Sequence, residues 1–248
     1  MFAKLAIRSI LIFGLAATTI AGAASAGQTP AKPKVNPVGV GSSWSANVDE
    51  ATIMGRAFDA KELKLVDEVD NYFNGIEHMR GKFIQTDAQN QRTNGRFYVQ
   101  RPGRFHFVYA RPSRLVILSD GRYLSIEDRE LETVERYSLS STPFGLLLAK
   151  NVDLLKDARI TEIYDAGDLV TIAMKDKSGD ATGQIKLYFT RKTEGDDANA
   201  LELREWVVTD AQGLDTRIEV TDLKIGEPAD PKLFQPSKIG LPGTESKR

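Results

Sequence analysis

Residues 95–109, GRFYVQRPGRFHFVY, constrain the fold of this chain more than any other stretch. They hold three of its eleven Phe and two of its seven Tyr, in two short runs that meet at Arg101-Pro102-Gly103. Proline presets φ and glycine tolerates the positive φ of tight turns, so this tripeptide predicts a chain reversal. The flanking runs read as strands, and the second sets Phe105, Phe107 and Tyr109 two apart, on one face. A sheet face bearing three rings must be covered, either by the protein's own core or by a bound apolar ligand. The spacing allows both.

The same period of two continues along most of the chain. Eleven strands are predicted, at 81–86, 95–100, 104–109, 114–119, 123–128, 132–138, 159–165, 169–175, 184–190, 201–209 and 215–223. Short turn signals separate many of them, among them Asp120-Gly121, which suits a two-residue hairpin, and Asp165-Ala166-Gly167. Successive hairpins imply an antiparallel meander that curls into a barrel or half-barrel.

Two segments change period. Asp59 and Glu62 have the spacing of a capping box. Behind them Val66, Val69, Phe73, Ile76 and Met79 recur at three and four, the apolar stripe of a helix. Residues 142–149, TPFGLLLA, interrupt the meander as a short apolar helix that Thr142 can cap and Pro143 can start. Residues 151–156 have room for one more turn. An apolar helix between two barrel strands can serve as a movable lid or as a permanent cap, and composition permits either.

The N-terminus belongs to export rather than to the fold. Lys4 and Arg8 form a basic start, an uncharged apolar run follows, and Ala24-Ser25-Ala26 is a small-residue cleavage pattern. A signal peptide over residues 1–26, cut after Ala26, is the expectation. The apolar run, roughly 13 residues, is short for a membrane span. The chain has no cysteine, so it is neither a disulfide scaffold nor anchored through a lipid on an N-terminal cysteine. It has 33 Lys and Arg against 34 Asp and Glu. Without Lys4 and Arg8 the net charge is about −3, which gives no general attraction to nucleic acid. Residues 27–55, with Pro30, Pro33 and Pro37, read as a flexible tail, as do 240–248. The folded domain is then 56–239, exported to the periplasm if the cell has two membranes.

With these elements placed, the chain resembles the periplasmic outer-membrane lipoprotein carrier family, LolA, from about Leu65 to Pro236. The resemblance rests on an ordered set. It comprises Phe83-Ile84-Gln85, the run from Gly95 to Pro102, Phe105-His106-Phe107, Pro112 and Leu118-Ser119-Asp120-Gly121. Thr142-Pro143-Phe144 with Leu147, Asp210-Ala211-Gln212-Gly213, and Leu233-Phe234 with Pro236 complete it. It implies an incompletely closed antiparallel β-barrel of about eleven strands with a helical lid over an apolar cavity. It also implies a carrier that takes lipoproteins from an inner-membrane ABC transporter complex and hands them to an outer-membrane acceptor. The family often has Trp where this chain has Phe107, and the 27–55 tail is longer than usual.

Each acyl CH₂ buried is worth about 0.8 kcal/mol, so leaving a chain of roughly 16 carbons in water costs on the order of 10 kcal/mol. The candidate cavity wall is Phe83, Phe97, Val99, Phe105, Phe107, Tyr109, Leu115 and Ile117. The candidate lid is Phe144, Leu147 and Leu148, with Val69 and Phe73 from the first helix. Arg101 has five donors that can bind several carbonyls at once, and the family resemblance implies that it latches the lid when the carrier is empty. No cofactor or metal is expected, and a monomer is.

Other readings are weaker. An acyl- or lipopeptide-binding sensor of related fold is the alternative. No catalytic constellation is visible: His106 alternates with Phe105 and Phe107 and so faces the other side of its strand, and His78 lacks a ligand partner four residues on. Arg92, Arg96, Arg101, Arg104, Arg111, Arg114 and Arg122 make the aromatic region locally basic. Export and overall charge favour an acidic partner or anionic headgroups for that surface over nucleic acid.

Overall fold

The computed structural model describes residues 52–53, 56–178, 183–192 and 200–237. The expected signal peptide, most of the 27–55 tail and the 240–248 tail lie outside the described residues. Of the tail, Thr52–Ile53 (β1) pairs with Arg56–Ala57 (β2) and runs beside the ninth strand.

Asp59 caps α1, Ala60–Asn74, by accepting from the Lys61 and Glu62 amides, and Glu62 reaches back to the Asp59 amide, which completes the capping box. Leu65, Val66, Val69 and Phe73 form its buried stripe. The helix stops at Gly75, one turn short of the predicted stripe. Ile76 is therefore buried from the connection, and Met79 from the following strand.

All eleven predicted strands are present. They are β3 His78–Thr86, β4 Arg92–Gln100, β5 Arg104–Tyr109, β6 Leu115–Asp120, β7 Tyr123–Asp128 and β8 Thr133–Ser138, then β9 Ala158–Asp165, β10 Leu169–Asp176, β11 Gln184–Arg191, β12 Leu201–Thr209 and β13 Asp215–Ile225. They make one antiparallel sheet in the order β8-β7-β6-β5-β4-β3-β13-β12-β11-β10-β9. Two meanders are thus joined side by side where the last strand pairs with the first, Ile218 opposite Gln85 and Val220 opposite Phe83. The sheet does not close. Its two edges, β8 and β9, are consecutive in the chain, and the segment that joins them carries α2, Pro143–Leu147, and α3, Leu154–Asp157.

Tight turns and close approaches shape the curl. Gly103 has φ +72, and a Cβ there would meet the Gly121 backbone at 2.9 Å. Gly95 leaves its inner side to the Phe83 ring, whose Cε1 would stand 2.7 Å from a Cβ at that position. The predicted Asp120-Gly121 hairpin is one residue later, Gly121-Arg122. Asp120 remains in β6 and its carboxylate accepts from the Arg122 and Tyr123 amides, fixing the reversal. Thr142 stands at the N-cap of α2 but does not cap it through its hydroxyl, which donates instead to the Leu139 carbonyl at 2.8 Å.

The core lies inside the curl, where β10 and β11 contribute Val170, Ile172, Met174, Ile185, Leu187 and Phe189. Outside, a turn at Pro231–Phe234 packs over β5 and β6 with Phe234 buried, and the Ser237 amide donates to Glu127 at 2.7 Å. His106 faces away from Phe105 and Phe107 as predicted. It is only 6% exposed, beneath this C-terminal cover, and not a surface residue. Burial, with Arg129 nearby, holds its imidazole below the usual histidine range.

Candidate functional site

The concave side of the sheet encloses an apolar cavity closed over by the joining segment. The cavity measures about 80 Å³ and is partly open to solvent. Phe97 and Val99 on β4, Phe105, Phe107 and Tyr109 on β5, and Ile117 on β6 line it. Alternation on three neighbouring strands turns these six side chains to one face. Their rings interlock: Phe97 stacks on Phe107 at 5.4 Å between centroids, and Phe105 meets Phe107 edge-on at 5.8 Å.

Two wall candidates do not reach the cavity. Phe83 is 1% exposed and lies behind the rings of Phe107 and Tyr109, at 5.2 and 5.0 Å, in the space that Gly95 leaves. Leu115, at the start of β6, is buried in the core outside the cavity lining. Of the lid candidates, Phe144, Leu147, Leu148 and Phe73 line the cavity. Val69 is fully buried on the core side of α1 and does not. Phe144 comes down on Phe105, with centroids 5.9 Å apart.

The second meander supplies lining residues that sequence reasoning missed: Ile185 and Leu187 from β11, Leu203 and Trp206 from β12, and Ile218 from β13. Trp206 was hidden by a break in alternation. Counting by twos from Leu201 points Glu205 inward and Trp206 outward. The register shifts between Tyr188 and Phe189, so that Phe189 pairs with Leu203 and Tyr188 with Glu205, leaving Arg204 as the extra residue of a bulge. Beyond it the parity reverses and Trp206 enters the cavity. Its ring stands perpendicular to Phe107 at 6.2 Å. The polar pair within this wall is Tyr109, whose hydroxyl donates to Gln85 Oε1 at 2.5 Å. Burial pushes the Tyr109 hydroxyl well above the usual phenol range.

A polar clamp holds the joining segment against α1 and the β4–β5 turn. The Arg101 guanidinium donates to the carbonyls of Ala149, of Lys150 at 3.4 Å and of Ile76 at 3.5 Å, and to Asn74 Oδ1 at 3.4 Å. It is 9% exposed, and burial lowers its pKa. The Gly103 amide donates to the Leu148 carbonyl at 2.8 Å. Asn74 bonds both the amide and the carbonyl of Val152, at 2.8 and 2.9 Å, and Asp70 accepts from the Leu154 amide at 3.1 Å. The bonds that the clamp makes to the joining segment all end on its backbone after Leu147. The apolar face of α2 itself is held to the cavity only by packing. A wall this apolar can bury hydrocarbon and offers little for polar chemistry.

Comparison with known proteins places these observations. A family model described as outer membrane lipoprotein carrier protein LolA matches residues 74–237, beginning nine residues after the start read from the sequence. An outer-membrane lipoprotein carrier protein from Halorhodospira halophila is 27% identical over 188 residues, covering 72% of this chain and 84% of that protein. One from Methylococcus capsulatus is 34% identical over 155 residues, covering 61% and 70%. Among solved structures, a LolA superfamily protein from Nitrosomonas europaea aligns over 70% of this chain and 97% of its own, at 11% identity and a TM-score of 0.45.

Proposed function

The chain belongs to the outer membrane lipoprotein carrier family, LolA, and from that membership together with the cavity we propose that it carries lipoproteins across the periplasm by burying their acyl chains. The observation that carries this reading is the apolar cavity, walled by both meanders and covered by α2. This space is left unfilled by the protein's own side chains, unlike the core around Val170, Ile172, Met174 and Phe189. It suits a ligand that is hydrocarbon over most of its length.

On this reading the signal peptide is removed after Ala26, and the mature protein acts as a soluble monomer. An inner-membrane ABC transporter complex loads it and an outer-membrane acceptor unloads it. Loading lifts α2, since Phe144 and Leu147 occupy the space that a chain would take. Release is aided by the clamp, because Arg101 regains the Ala149 and Lys150 carbonyls when the segment returns. The wall is then a carrier's wall, apolar enough to cover the chain and closed by a segment with two positions. It performs no covalent step.

Incubating the purified mature protein with spheroplasts tests the proposal. Lipoproteins should leave the membrane as soluble one-to-one complexes with it. If acylated peptides bind but nothing is released from spheroplasts, the protein is an acyl-binding sensor and not a carrier.

A further inference from the structure

The cavity is apolar, yet one row of its wall carries spare hydrogen-bond donors. Trp206 lines the cavity and is 5% exposed, and its indole Nε1–H has no acceptor among the described residues. Gln85 lines it too and is 2% exposed. Its Oε1 is taken by the Tyr109 hydroxyl, and its Nε2 makes no hydrogen bond among the described residues. An unmade hydrogen bond in a buried site is a free-energy cost that a ligand can relieve. Indole offers a donor and no acceptor. The spare capacity of this wall is therefore for acceptors, the property of a carbonyl oxygen and not of an alkyl chain or an ammonium group.

The two donors are also placed in register. Trp206 pairs with Ile218 on β13, and Ile218 pairs with Gln85 on β3, so Gln85, Ile218 and Trp206 form one row across three strands. Their backbones are two strand spacings apart, roughly 10 Å. Met79, on the same face of β3, lies six residues from Gln85, about 20 Å along the strand. It pairs with Val99, close to Arg101 and the clamp on the joining segment. Gln85 thus stands at the end of the wall away from the clamp, and the Trp206 ring meets Phe97 and Phe107, at 6.5 and 6.2 Å between centroids.

Resting on the carrier reading, we propose that Trp206 Nε1 and Gln85 Nε2 bind the ester and amide carbonyls by which acyl chains are attached to a lipoprotein. The ligand class is an acylated glyceryl or amino group with more than one carbonyl, and neither a free hydrocarbon nor an amine-terminated chain meets it. The row fixes the depth at which the ligand stops and points its chains toward the lid. The bulge at Arg204 exists on this account to bring Trp206 into that row.

The test compares methyl palmitate, which has a carbonyl, with n-octadecane, which has none, each delivered from cyclodextrin to the mature protein labelled with ¹⁵N-tryptophan. The chain has two tryptophans, Trp44 and Trp206, and Trp206→Phe identifies the second indole signal. With the ester the Trp206 indole proton should move downfield, and with the alkane it should not. Trp206→Phe should weaken the ester about two- to tenfold more than it weakens the alkane. An equal indole shift with both ligands, or an equal loss of both in the variant, overturns the donor row while leaving acyl binding intact. If neither ligand binds, the carrier reading fails and this proposal fails with it. Should Trp206→Phe not fold, the shift difference in the unaltered protein still decides.

Discussion

Arg101 has a different neighbourhood from every other cation near the aromatic hairpin. It is buried, and its guanidinium spans two chain segments, the Ile76 connection after α1 and the Ala149-Lys150 backbone after α2. Hydrogen bonds from a charged group contribute about 1.5–3 kcal/mol. Arg101→Leu should therefore loosen the joining segment selectively. Hydrogen exchange at residues 148–152 is expected to speed up at least about tenfold, with β10–β12 unchanged. On the latch proposal this variant still loads lipoprotein but delivers it poorly. Unchanged exchange, or normal delivery, would count against the latch. The position of Arg101 was legible in the sequence because it ends an apolar strand before Pro102. Its partners were not, since Ala149 and Lys150 are 48 and 49 residues away and bond through backbone, which leaves no trace in residue type. Trp206 shows the opposite failure. Its residue type was conspicuous, and its direction depended on a one-residue bulge that alternation alone hides.

Among the elements, the helix–turn–strand pieces were the most legible. The capping box of α1, the eleven strands and the short helix at Pro143 each have a local cause in propensity, capping or turn chemistry. What the sequence did not show is how the pieces pair at long range, β3 with β13, because that register depends on which faces must be buried and not on any local signal. The end of α1 carries a pH dependence that follows from such packing. Asp70 accepts from the Leu154 amide. Burial, reinforced by Asp153, Asp67 and Asp157, raises its carboxyl to about 6 against that bond. The folded-state pKa lies above the unfolded 3.8. The contribution to stability is then complete below the unfolded value and is lost as pH rises through about 6. Asp70→Asn keeps an acceptor for Leu154 and removes the titration. Its melting temperature should change less than that of the unaltered protein between about pH 4 and 7, and it should be the more stable at the upper end. Water screens a half-buried carboxylate, so the gap will be modest. Parallel melting profiles would remove Asp70 from the account.

On the scale of the whole molecule, one topological fact organises the rest. Two meanders share a seam at β3 and β13, and the free edges are bridged by the segment between them. The half-barrel, its concave wall and its cover are consequences of that order. Reading the wall from the aromatic hairpin alone found its first half. It missed Ile185, Leu187, Leu203 and Ile218, which look like ordinary strand residues and face the cavity only because the second meander curls around to oppose the first. Sequence could not decide between a filled core and a cavity, since both need the same apolar face. The structure contains both: Val170, Ile172, Met174 and Phe189 pack in a filled core, and a cavity lies beside the rings. The central claim is that lipoprotein acyl chains lie on that inner face. Two adjacent residues of β5 test it, Phe107 lining the cavity and Val108 on the outer face, 36% exposed. A photo-crosslinking benzoylphenylalanine placed at each in turn, in protein incubated with spheroplasts, should form adducts with mature lipoproteins from position 107 and not from 108. Adducts from 108 alone, from both equally or from neither would contradict the account.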